Sequence, residues 1–387
     1  EASTRQAALL TGEAHIATLP QDLQTQVEKQ GYKTVTGKVP GFRVFAQFVC
    51  CQYKDPKTFD GGYMDPPGAL ADPQVRKALS KAVNRDEVNK AFFGGKGQIM
   101  YNGPLDPSRR GWKEEWRGRY NDEYGYDPEA AKRILAAAGY TASNPVRFTM
   151  ILTTATGLSS ANDIAESLVA YWAKVGIDAK LETIDSATYT TQGRAFKLLN
   201  HMRVNGTSSN PWTGTTQCGS TLGTRNGGGP ELQDLDEVLK GLYGTLDEKK
   251  IDEIWSKAGD VMYQQHKFVP LFWLPTEASV DPKVVAGWDF PGSISGSWTH
   301  VEYLRAARTA ARTCAVAGVP RAPFAAGHPA LRPPFDRLRV SGNGTASAGS
   351  RRATVSPERA TPSWAGGAGG APRLSISPEG APCPPQE

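Results

Sequence analysis

Residues 146–182 constrain the fold more than any other stretch. Val146, Phe148, Met150 and Leu152 fall on alternate positions, the period of a strand with one buried face. Ile164, Leu168, Tyr171, Trp172 and Val175 then recur at helical spacing and stop at Gly176. Ile177, Ala179 and Leu181 alternate with Asp178, Lys180 and Glu182. Strand, helix and strand within about 40 residues make a βαβ crossover, so the two strands lie parallel in one sheet. The class is α/β.

The flanking sequence carries the punctuation of helices. Asp72-Pro73 supplies an N-cap and a proline at the first helical position, followed by Val75, Leu79, Ala82 and Val83 on one face. Asn84 with Glu87 marks a second start, and Val88, Ala91 and Phe92 lead to a stop at Gly94-Gly95. Asp127-Pro128 repeats the first pattern, with Ala131, Ile134, Leu135 and Ala138 as its stripe and Gly139 as its end. Two amphipathic helices follow, on Leu232, Leu235, Leu239 and Leu242 and on Ile251, Ile254, Trp255, Ala258 and Met262. Phe268 to Leu274 reads as a buried strand.

The 387 residues carry a net charge of +5, which on its face invites an acidic partner. Residues 305–387 account for it, with 11 Arg, no Lys and four acidic residues, whereas residues 1–304 are slightly acidic. A nucleic-acid-binding body is disfavoured, because phosphate neutralisation needs cations clustered on the folded part. The segment from Arg305 is rich in Ala, Gly, Pro and Arg and lacks apolar periodicity, so it is expected to be a disordered tail. Its abrupt composition resembles out-of-frame translation of GC-rich DNA. The chain opens at Glu1 with no charged-then-apolar leader, so no signal peptide is present in this fragment and the gene product is expected to start upstream. Cys50, Cys51, Cys218, Cys314 and Cys383 are odd in number and uneven in spacing, which reads as small buried hydrophobes rather than as a disulfide framework or a zinc site.

Catalytic constellations are missing. There is no H-E-x-x-H, G-x-S-x-G or G-x-x-x-x-G-K-[ST], and His15, His201, His266, His300 and His328 show no ligand spacing. No cofactor and no metal are expected. Gly94-Gly-Lys-Gly97 follows a helix instead of preceding one, which fits a C-terminal cap better than a phosphate cradle. Glu114-Glu115 and Asp122-Glu123, beside Arg117 and Arg119, read as solvated charged faces. Gly227 to Gly229 reads as a flexible loop. Asn205-Gly-Thr-Ser-Ser-Asn-Pro-Trp212 reads either as turn chemistry or as a ligand-facing loop, since pockets combine aromatic walls with a few placed polar groups.

Asp72-Pro-Gln-Val-Arg-Lys-Ala-Leu-Ser-Lys-Ala-Val-Asn-Arg85 resembles a signature of the family 5 solute-binding proteins of ABC importers, the dipeptide- and oligopeptide-binding group. Gly12-Glu-Ala-His-Ile-Ala17 is similar to the family's G-E-x-D-x-A segment, with His15 in place of the acid. Tyr126 to Tyr140, Trp172 to Leu181 and Val269 to Trp273 also correspond, so the resemblance runs in order from residue 1 to about 304.

The resemblance implies a periplasmic-binding-protein-like two-lobed clamp of type II, peptide-binding cluster, with the first lobe largely missing. Residues 1–22 would be the end of that lobe and the hinge approach, 23–266 the second lobe, and 267–304 the return crossing. It also implies a non-enzymatic, monomeric subunit in the periplasm or another extracytoplasmic compartment, delivering a small solute to a permease in the cytoplasmic membrane. Ligand contacts are assigned to Asn205, Thr207, Ser208, Trp212, Phe272 and Trp273. Peptide binders of the family hold the ligand's amine with an acid in the loop matching Met202 to Pro211, but no Asp or Glu occurs between Asp185 and Glu231 here. A peptide, an opine-like solute and an oligosaccharide therefore all remain open as ligands. The competing readings are a truncated product that binds nothing and an α/β hydrolase.

Overall fold

The computed structural model describes residues 1–51, 67–103, 105–208, 210–216, 229–291 and 300–307. All belong to one compact unit, Glu1–Thr309. The remainder, and with it the expected disorder of the tail beyond residue 307, lies outside the described residues.

The chain enters through α1 (Ala2–Leu10), β1 (Ile16–Ala17) and α2 (Gln21–Glu28), which close a small core of Leu9, Ala17, Leu19 and Val27. It then runs for 18 residues as β2 (Lys33–Cys50). The helices α3 (Pro73–Lys81) and α4 (Arg85–Phe93) carry the caps read from the sequence. Asp72 accepts the Gln74 amide, Asn84 accepts the Glu87 amide, and Gly94 ends α4 at φ 57°, a backbone state glycine adopts without steric cost. Next come β3 (Gln98–Ile99), α5 (Glu114–Gly118), α6 (Tyr120–Tyr124) and α7 (Pro128–Ala137).

The crossover is β4 (Arg147–Leu152), α8 (Ala161–Ala173) and β5 (Asp178–Thr183), with β4 and β5 parallel as expected. The remaining elements are α9 (Ser186–Arg194), β6 (Asn200–Ser208), α10 (Pro211–Thr216), α11 (Gln233–Lys240), α12 (Glu248–Gln264), β7 (Val269–Val280), β8 (Val285–Trp288) and β9 (Leu304–Ala306). Ordered structure thus continues past residue 304, because Arg305 and Ala306 pair with β8.

The main sheet has the order β1-β7-β2-β6-β4-β5, with β3 added beside β7. Because side chains alternate along a strand, each face collects one parity of β2, β4 and β6. Val44, Ala46, Phe48 and Cys50 of β2, Met202 and Val204 of β6, and Phe148 and Met150 of β4 face α3, α4, α7 and α8 in the largest core. Trp172 of α8 packs edge-on to Phe148, and its indole N–H donates to the Leu79 carbonyl at 2.9 Å. A second, mostly helical core joins Trp116, Tyr120 and Tyr124 to Leu235, Leu239, Trp255 and Met262.

The arginines of the Asp72–Arg85 signature are structural. Arg76 is buried and donates through Nε and Nη2 to the Gln265 carbonyl at 2.9 and 2.7 Å. Arg85 is also buried and donates to the carbonyls of Pro270, Ser80 and Tyr124. Five-donor guanidinium forks of this kind satisfy several carbonyls at once, which ties α3 and α4 to the chain entering β7.

Four readings need correction. Cys50 and Cys51 are joined in a disulfide: Cys51 leaves the strand at φ 64°, and this turn brings together two side chains that a continuing strand would hold on opposite faces. Cys218, Cys314 and Cys383 lie outside the described residues. Glu123 is not on a solvated face; it is half-buried against Lys77 and His266, although Glu114 and Glu115 do pair at the surface with Arg117 and Arg119. Leu181 is 46% exposed because β5 is an edge strand with little cover. Asn205 to Ser208 is not a turn but the end of β6, paired throughout with β2. Of the expected glycine loop, Gly227 and Gly228 lie outside the described residues, while Gly229 forms a bridge to Phe48.

Candidate functional site

The face of the sheet turned away from α3, α4, α7 and α8 carries Arg43, Phe45, Gln47 and Val49 of β2 and Arg203, Asn205 and Thr207 of β6. Register places Arg43 across from Thr207, Phe45 across from Asn205, and Gln47 across from Arg203. Apolar packing covers part of this face: Val49 and Ile151 lie under Ile184, Tyr189 and Leu198, and Phe45 lies with Met100, Phe268 and Trp273. The polar rows remain open to a cavity of about 210 Å³, closed on one side by Tyr189, Thr190, Gly193 and Arg194 of α9.

Hydrogen bonds fix the polar side chains. Gln47 Oε1 accepts from Arg203 Nε and from Asn205 Nδ2, each at 3.0 Å. Arg203 also donates through Nη1 to the Ala155 carbonyl at 2.7 Å, and its guanidinium lies 4.4 Å from the Tyr189 ring centre. Arg43 is 1% exposed and lies 4.9 Å from the Phe45 ring centre. Among the described residues, three guanidinium groups and no Asp or Glu line the cavity. The described lining is therefore rich in hydrogen-bond donors, built on strands that hold them in place. His201, one parity step further along β6, is held below its ordinary pKa by burial.

A second cavity, about 460 Å³, lies along β3 and β7 and is lined by Gln98, Ile99, Tyr101, Arg117 and Trp273 among others. Trp273 pairs across from Arg43, so it shares that face of the sheet; its indole N–H is buried without an acceptor.

The six residues assigned from sequence thus divide. Asn205 and Thr207 line the first cavity and Trp273 lines the second. Phe272 has the opposite parity and is fully buried in the main core, 5.5 Å from the Phe93 ring. Ser208 also has the opposite parity, one residue past Thr207 on β6. Trp212 is half-buried on the helical core and meets Tyr243 edge-on at 6.1 Å; it lines neither cavity. Arg43, Gln47, Arg203, Tyr189 and Arg194 were not expected at the site. The signal that marks Arg203 is the period of two in His201, Arg203, Asn205 and Thr207 against Met202, Val204 and Gly206. Among the described residues, no group of three or more His, Cys, Asp or Glu side chains is arranged to hold a metal ion.

The chain belongs to the bacterial extracellular solute-binding proteins, family 5, whose middle-region model matches residues 1–226. It is 25% identical over 269 residues to the dipeptide-binding protein of Escherichia coli K12, covering 68% of this chain and 46% of that protein. It is 26% identical over 219 residues to heme-binding protein A of Haemophilus influenzae, covering 54% and 38%. The chain therefore spans less than half the length of these relatives. Among solved structures it superposes on NikA from Brucella suis in complex with Fe(III)-EDTA, with a TM-score of 0.61, 19% identity, and coverage of 79% of this chain and 60% of that one. DppA from Helicobacter pylori with the peptide STSA gives a TM-score of 0.58, 21% identity, and coverage of 76% and 54%. The α/β architecture is that of these two-lobed periplasmic binding proteins.

Proposed function

We propose that this chain forms a large part of the solute-binding subunit of an ABC importer, working in the periplasm or an equivalent extracytoplasmic space. Residues about 23–266 form its second lobe, and the segments before and after them lead to the first. A small solute is held against the face of the sheet that carries Asn205 and Thr207, and a first lobe closes over it. Contacts made to both lobes only when closed favour the closed form that a permease recognises. Relatives named for dipeptides, di- and tripeptides and heme show the range of cargo in the family. Trp273 contributes an aromatic wall to the adjoining cavity; the placements of Phe272, Ser208 and Trp212 favour packing roles.

The observation that carries the reading is the open polar row on an otherwise packed sheet. Buried polar side chains are costly unless satisfied, and a row of them aimed into a cavity is the arrangement of a binding surface. The test is native mass spectrometry of the full-length protein purified from its own host. A bound small molecule, released on denaturation, is the expected result; protein free of any solute, that also titrates with none from a host extract, overturns it.

A further inference from the structure

We infer that the Cys50–Cys51 disulfide is a reversible redox site: oxidised, it ties the segment Gly229–Glu231 to the end of β2, and a small dithiol opens it. Neither cysteine lines either cavity, so the inference stands apart from any bound solute.

A disulfide ordinarily stabilises a fold by closing a long loop in the unfolded chain. Cys50 and Cys51 are neighbours in sequence, so their bond closes almost no chain and its effect is confined to the local backbone. That backbone is the left-handed state at Cys51, φ 64°, which a residue with a Cβ disfavours and which the bond to Cys50 holds. In this position the Cys51 carbonyl accepts the Glu231 amide at 3.1 Å, and the Phe48 carbonyl accepts the Gly229 amide at 2.9 Å. The approach is close, since a Cβ on Gly229 would lie 1.8 Å from the Cys50 carbonyl oxygen. The same segment leads into α11, whose Leu235 and Leu239 are fully buried in the helical core. The bond therefore stands at the junction between the end of β2 and the chain that carries α11.

Cys50 is fully buried and Cys51 only partly, so an incoming thiolate reaches the Cys51 sulfur. It forms a mixed disulfide there, the Sγ–Sγ bond breaks, and Cys50 leaves as a thiolate that takes up a proton. The second thiol of the dithiol then attacks its own sulfur in the mixed disulfide and closes a ring, releasing Cys51 as a thiol. The dithiol gives up two electrons and two protons, and the cysteine pair gains both. Freed of the bond, Cys51 returns towards extended backbone, its carbonyl turns away, and the Glu231 amide loses its acceptor.

The experiment treats the full chain with dithiothreitol and counts alkylated thiols by mass spectrometry on the peptide carrying Cys50 and Cys51, which sets this pair apart from Cys218, Cys314 and Cys383. Untreated protein is expected to resist alkylation there, reduced protein to gain two alkyl groups, and reoxidised protein to resist again, with circular dichroism unchanged throughout. Hydrogen exchange at the Glu231 amide, read by NMR, is expected to quicken about tenfold on reduction. The Asp178 amide, held by the Val146 carbonyl, is expected to exchange as before. Cys51→Gly takes the left-handed backbone freely, so its Glu231 amide is expected to stay slower than in reduced wild type, with or without dithiothreitol. The double variant Cys50→Ser, Cys51→Ser is expected to exchange as fast as reduced wild type; should it fail to fold, reduced wild type against Cys51→Gly remains the test. Thiols already free in protein prepared in air, or a pair that dithiothreitol leaves closed in the folded chain, overturns the inference. So does exchange at Glu231 that reduction leaves unchanged, or that Cys51→Gly raises to the reduced rate.

Discussion

Arg43 on β2 stands directly across from Thr207 on β6, and the two point to the same side of the sheet, into one cavity. Trp273 on β7 faces Arg43 from the other side of β2. A single row of three strands therefore presents a cation, a hydroxyl and an indole on the face opposite the main core. Parity along these strands decides which residues line the cavity.

That parity is tested by neighbours. Thr207→Ala removes a group that lines the cavity, and is expected to weaken the co-purified solute about fivefold, the worth of one hydrogen bond of ~1 kcal/mol. Ser208→Ala, one residue on and pointing to the opposite face, is expected to leave affinity within twofold. Displacement of the solute followed by native mass spectrometry measures both. Equal losses at the two positions would remove the alternation from the account of the site.

Phe272 belongs to the core. It is fully buried and packs edge-on to Phe93, so Phe272→Ala is expected to destabilise the fold by about 3–5 kcal/mol through lost burial and a cavity. Urea denaturation measures the change. Affinity extrapolated to fully folded protein is expected to stay near wild type; a full-strength fold with lost binding would place Phe272 in the site instead.

Gly259 on α12 touches a neighbouring aromatic too closely for any side chain. A Cβ there would lie 2.3 Å from the Trp116 ring, and its carbonyl accepts the Asn102 side chain at 3.1 Å. Gly259→Ala is expected to cost about 1–3 kcal/mol by overpacking, against the small gain in helix propensity. A thermal melt that rises instead of falling would show that the Trp116 region yields freely.

The crossover, the capped helices and the α/β class were legible because local rules set them: proline and Asp at a helix start, glycine at its end, two periods of hydrophobicity. The Asp72–Arg85 signature was legible as a pattern, but its meaning was not. Arg76 and Arg85 act on carbonyls of Gln265 and Pro270, nearly two hundred residues away, and such pairings leave no local trace. β2 and β6 were hidden for a different reason. Residues 205–208 are rich in the small polar types that also make turns, and only pairing with β2 decides in favour of a strand. Arg43 and Arg194 were invisible as site residues because the topology, not the spacing, brings β2 and α9 to Thr207. Trp212 and Phe272 read as ligand walls because an aromatic beside a proline or glycine marks a strand or loop end, yet says nothing of which face it takes.

Acid should unfold this chain through Glu123 and His266. Lys77 lies 2.6 Å from Glu123, and His266 Nε2 lies 3.6 Å from the same carboxylate oxygen. The neighbouring His266 imidazole, with help from Lys77, holds the Glu123 carboxyl far below the usual carboxylate range. Burial lowers His266 below its ordinary 6.5, outweighing the pull of Glu123. Both shifts have the same sign in the linkage relation. As pH falls through about 6.5, the unfolded histidine takes a proton that the folded one resists; lower still, the unfolded glutamate is protonated while the folded one stays ionised. Stability is thus full above about pH 6.5 and declines steadily towards pH 4. The melting temperature measured across this range is expected to fall at its acid end. His266→Gln is expected to flatten the upper part of the decline and Glu123→Gln the lower part. A profile unchanged in both variants would assign the acid sensitivity to other groups.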